Sequence, residues 1–128
     1  MLRQNSSGVE RGRHMPLYMF TFGYQPQVWA ELIRRPVNRE EQLGRILEEA
    51  GCKLHGLWFA FGEADGFALV EAPDNATAAS IALALVSSGT FRKLDSTAVM
   101  TQEELLEALR MAAGVYYVPP IDPSSRKA

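Results

Sequence analysis

Two hydrophobic periods alternate along this chain, and the switches between them mark its elements. Residues 17–24, LYMFTFGY, form a nearly continuous apolar and aromatic run that ends in Gly-Tyr-Gln-Pro, which predicts a buried strand. Pro26 suits the first turn of a helix, and PQVWAELIRR sets Val28, Trp29, Leu32 and Ile33 on one face before Pro36 interrupts it. Asn38 and Glu41 have capping-box spacing ahead of a second helical piece. Its stripe is Leu43, Ile46, Leu47 and Ala50, and Gly51 is its stop. CKLHGLWFAF (52–61) and FALVEAP (67–73) are strand-like runs around a turn. Asp74 caps a helix over about 75–88 that is Ala-rich and nearly uncharged, a composition that predicts packing around most of its circumference. Gly89 ends it, and FRKLDSTAVM (91–100) is a fourth, more polar strand. Thr101 and Glu104 form a second capping box before QEELLEALRMAA, where Leu105, Leu106 and Leu109 share a face.

The order β-α-β-β-α-β with a C-terminal helix is the α+β, ferredoxin-like plan: one four-stranded antiparallel sheet with both principal helices on one face. Tyr18, Phe20, Phe22, Trp58, Phe59, Phe61 and Phe67 lie at both strand parities, so both faces of that sheet call for burial. One helix layer covers one face. A second copy stacked sheet on sheet is the simplest cover for the other, which predicts a homodimer. The domain spans residues 16–114. Residues 1–15 read as a disordered lead-in, charged and without the apolar core of a secretory signal, with Met15 as an alternative start. Residues 115–128 read as an irregular, Pro-rich tail.

Composition narrows the functional classes. A chain of 128 residues supports one domain, and 47% hydrophobic with 22% charged residues is ordinary for a globular protein. A net charge of −2 argues against the broad basic footprint of nucleic-acid binding. Cys52 is the single cysteine, so no internal disulfide forms and a Cys-based zinc cluster lacks ligands. No metal and no cofactor are expected, because phosphate-binding loops, dinucleotide fingerprints, nucleophile elbows and paired-histidine motifs are all missing from the sequence. No apolar run reaches the roughly 20 residues that span a bilayer, and a reducing cytoplasm is the expected compartment.

The candidate chemistry clusters around residues 59–79, where two hairpin turns compete. A turn at Asp65-Gly66 puts Asp65 at a solvated tip, and turn statistics alone favour it. A turn at Gly62-Glu63 instead puts Asp65 opposite Ala60 and Phe67 opposite Trp58. Asp65, Phe67, Leu69 and Glu71 then share the face away from the helices with Gly56 and Trp58, while Gly66, Ala68, Val70 and Ala72 face the helices. In that register Trp58, Phe67 and Leu69 floor an apolar binding surface, with Arg92 as a possible partner for an anion. Asp65, Glu71 and His55 are the candidates for an acid or base. For Asp65 a structural hydrogen-bond role is favoured over catalysis. Strand parity places His55 with Leu57 and Phe59 beside the helices, where a satisfied histidine is favoured over a catalytic one.

Gly62-Glu63-Ala64-Asp65, followed by a strand and EAPDNATAAS (71–80), resembles the GYD-domain family, small bacterial proteins named for a Gly-x-Tyr-Asp signature. MPLYMFTFGYQ, LEEAGCKLHGLWFAFG and LALVSSGTFR extend the resemblance over about residues 16 to 112. It implies two facing ferredoxin-like sheets, a dimeric α/β barrel with a cleft between them, and a strand that begins at the aspartate. That decides the turn for Gly62-Glu63. Ala64 stands where the signature has tyrosine, so any chemistry of that hydroxyl is lost in this chain. The expected function is a small-molecule binding or sensing module for an apolar ligand. The alternatives are a cofactor-independent monooxygenase- or isomerase-like enzyme, and a structural subunit with a filled cleft.

Overall fold

The computed structural model describes residues 15–121, so the lead-in before Met15 and the end of the tail lie outside the described residues. The elements follow in order: β1 (Leu17–Tyr24), α1 (Pro26–Arg34), α2 (Arg39–Glu49), β2 (Lys53–Phe59), β3 (Gly66–Glu71), α3 (Asn75–Ser87), β4 (Phe91–Val99) and α4 (Gln102–Ala112). The strands form one sheet in the order β2-β3-β1-β4 with every pair antiparallel, which is the ferredoxin-like α+β arrangement.

Local chemistry sets the helix ends. Pro26 occupies the first turn of α1. The Asn38 side chain accepts from the Glu41 N–H at the start of α2, and Asp74 accepts from the Thr77 N–H at the start of α3. Thr101 and Glu104 close a reciprocal capping box on α4. Gly51 and Gly89 follow α2 and α3 with φ of 80° and 81°, a conformation that costs glycine little.

The core lies between the sheet and helices α2 and α3. Tyr18 and Phe20 of β1, with Ala68 and Val70 of β3, pack against Leu47 of α2 and Ala78 and Ile81 of α3. Residues 66, 68, 70 and 72 are all buried on this side, as the small-residue face requires. The Tyr18 hydroxyl donates to the Asn75 side chain and ties β1 to the start of α3.

Three expectations are corrected. First, α3 is not enclosed. Only Ala78 and Ile81 of it are buried, and Leu83 is 69% exposed, because the helix lies on the sheet along a single stripe. Ile33 of α1 likewise points into solvent. Second, the β2–β3 register is the one that Gly62-Glu63 would set, with Phe67 opposite Trp58 and the Ala60 N–H donating to the Asp65 carbonyl. The connection is a wider bend over residues 61–65, however, and Gly62 does not take the positive φ of a glycine-first turn. Third, the β2–β3 register shifts between Leu54 and Gly56. One extra residue there carries His55 to the face opposite the helices, since a slip of one position reverses a strand's facing.

Candidate functional site

The sheet's outer face, turned away from α2 and α3, is where the candidate residues gather. Trp58 of β2 and Phe67 of β3 are cross-strand partners and remain 52% and 36% exposed. Leu69 and Met19 continue the apolar floor on β3 and β1, where they pair directly. Trp58 lies flat because residue 56 is glycine: a Cβ there would sit 2.5 Å from the indole. The floor is therefore broad and aromatic. Among the described residues no helix covers it, and every residue of α4 is itself exposed.

A polar group closes each end of this floor. At one end stand His55 and Glu71, whose Nε2 and Oε1 atoms are 2.7 Å apart. A carboxylate can only accept, so Nε2 is the donor in this contact. The bulge at His55 is what brings the ring beside Glu71.

Asp65 sits at the other end, where the β2–β3 connection meets the end of β1. Its Oδ2 accepts from the Tyr24 main-chain N–H at 2.9 Å and from the Trp29 indole N–H at 3.3 Å. Arg92 reaches within 3.4 Å of Oδ1 and also donates to the Glu63 carbonyl. Its guanidinium can cross β1 because residue 23 is glycine. The Tyr24 N–H above all, with Trp29 and Arg92, holds the Asp65 carboxyl below the usual carboxylate range against the opposing effect of burial. Asp65 therefore joins the connection, β1, α1 and the start of β4. Lys93 faces Asp95 at 4.0 Å. Buried Cys52 has its thiol pushed up by burial and then by the Asp74 charge, which disfavours the nucleophilic thiolate.

The structure thus brings Trp58, Phe67, Leu69, His55 and Glu71 onto one face and sets Asp65 and Arg92 together at its end. Sequence reasoning missed Trp29, read there only as part of an apolar stripe. Its signal is general: an indole N–H near a buried boundary requires an acceptor. Among the described residues no three His, Cys, Asp or Glu side chains converge as a metal site would need, and no helix is long and apolar enough to cross a membrane.

The family model described as GYD domain matches residues 18–109, which takes in every strand start but β1's first residue and all of the outer-face residues described above. No match was found among the curated proteins or among the solved structures.

Proposed function

The chain belongs to the GYD-domain family, and from that premise we propose that it is a homodimeric small-molecule-binding module whose ligand lies between two facing sheets. One observation carries this reading: an open aromatic floor, Trp58 and Phe67 flanked by Leu69 and Met19, on the sheet face that no helix covers. Such a floor favours an apolar ligand. The ordered polar pairs at its ends, His55–Glu71 and Asp65–Arg92, would orient one polar group of that ligand. The Asp65 carboxylate acts as scaffold in this reading, since Oδ2 already accepts from the Tyr24 and Trp29 N–H groups and Arg92 stands beside Oδ1.

Native mass spectrometry of the protein isolated from its own host tests the proposal. The expected species exceeds the bare chain masses by a small molecule, and Trp58→Ala lowers the retained fraction. Bare chain mass from the host-derived protein would overturn it.

The His55–Glu71 contact favours a second reading, a cofactor-independent enzyme. A carboxylate that orients an imidazole through one nitrogen leaves the other free to take a substrate proton. In that case Glu71→Gln would stop turnover of the retained molecule while leaving its binding intact.

A further inference from the structure

We propose that the outer-face floor takes a neutral, flat aromatic molecule bearing a hydroxyl, its ring stacked on Trp58 and its hydroxyl donating to Nδ1 of His55. This inference rests on the small-molecule reading above and names the class of ligand. Trp58 sets the shape. The carbons of its six-membered ring lie over residue 56, where a Cβ would sit 2.5 to 3.2 Å from them, and Gly56 is buried beneath. One π-face therefore lies against the main chain of β2. The indole is still 52% exposed, so its other face is open. Phe67 beside it on β3, and Leu69 opposite Gly56, widen the platform with apolar surface. A flat ring gains most from such a platform, by offset stacking as well as by burial.

Charge argues against an ion. Around the floor Lys53 stands opposite Glu71, Arg92 beside Asp65 and Lys93 beside Asp95, so three cations meet three carboxylates. A charged ligand enclosed between two sheets would find no uncompensated partner to offset its desolvation. His55 then selects the polar group. Its Nε2 donates to the Glu71 carboxylate at 2.7 Å, and Nδ1 bonds to no protein group among the described residues. In a neutral imidazole whose Nε2 holds the proton, Nδ1 is an acceptor. The ligand group that fits is a donor, which a hydroxyl supplies and a carbonyl or ether oxygen does not. His55 directly precedes Gly56, so its ring stands at the edge of the indole platform.

Two probes with one ring system test the proposal: 2-naphthol, which has the donor, and 2-methoxynaphthalene, which lacks it and is the more apolar. Titration of methyl-labelled protein, read by NMR, should shift the methyls of Met19 and Leu69 saturably with both. 2-Naphthol should bind roughly threefold to tenfold more tightly, the difference one net hydrogen bond makes, although apolarity alone would favour the ether. His55→Phe should erase that preference, and Trp58→Ala should weaken both probes. Equal affinities in the wild type, or a preference for the ether, would overturn the proposal, a comparison that needs no variant to fold. The absence of saturable shifts at Met19 and Leu69 would overturn it too. Native mass spectrometry separates the two levels: a retained host ligand without an aromatic hydroxyl sinks this inference alone, whereas bare chain mass sinks the small-molecule reading with it.

Discussion

An aspartate that accepts from a main-chain N–H, an indole N–H and a guanidinium has little basicity left for a reacting proton, because each donor stabilises the charged form. Asp65 is in that position, with Tyr24, Trp29 and Arg92 around it. Asp65→Ala should therefore act on stability, with a loss on the order of 1–3 kcal/mol from two donors left without their acceptor. Asp65→Asn keeps one carbonyl for the Tyr24 N–H and should lose less. The pH dependence has a definite sign. The folded carboxyl lies below its unfolded value, so its contribution is fully present above the unfolded value, about 3.9, and is lost as pH falls through the depressed folded value. Denaturant unfolding of wild type and Asp65→Asn should differ at neutral pH and converge as pH falls through and below the ordinary carboxylate range. A constant difference across that range would refute the assignment.

At the scale of elements, the Asp-Gly pair shows how one signal can carry two causes. Gly66 does not sit in a turn and has no positive φ. It is glycine for space: a Cβ there would meet the Phe22 ring at 2.3 Å and the Trp58 carbonyl at 2.8 Å. Both neighbours are fixed, one in the core and the other in the main chain. Gly66→Ala should thus cost on the order of 1–3 kcal/mol through overpacking. Gly56→Ala first meets the half-exposed Trp58 indole, which can swing outward, and should cost less than about 1 kcal/mol. Urea unfolding of the two variants checks the contrast, and equal losses would contradict it. What the sequence made legible was local. The caps at Asn38, Asp74 and Thr101–Glu104 and the stops at Gly51 and Gly89 depend on residues a few positions apart, and each is found where its spacing put it. The misses depend on distant neighbours. An irregularity in pairing with β3 sets the facing of His55, the position of Phe22 explains Gly66, and contact with the sheet along one stripe explains the exposed side of α3.

At the scale of the molecule, burial is unevenly distributed. The helix side of the sheet is closed by α2 and α3, while the outer side keeps Trp58 and Phe67 in water. The helix α4 adds to the imbalance: its capping box fixes its start, yet Leu105, Leu106 and Leu109 stay 39%, 40% and 56% exposed. An eleven-residue helix has little stability of its own in water, so a packed partner is what would hold it. Stacking two outer faces removes the aromatic floor from water at about 25 cal/mol for each Å² buried, and it needs no segment beyond the chain itself. Light scattering after gel filtration should accordingly give about twice the 14.2 kDa chain mass. Phe67→Lys puts a charge in the middle of that face without touching the core, since Phe67 is already open to solvent within one chain. It should yield a folded monomer, with unchanged far-ultraviolet circular dichroism and half the mass, because two such lysines would oppose each other across the stacked sheets. A wild-type monomer at micromolar concentration would refute the dimer. A Phe67→Lys protein that stays dimeric would move the interface from the sheets to the exposed apolar faces of α3 and α4.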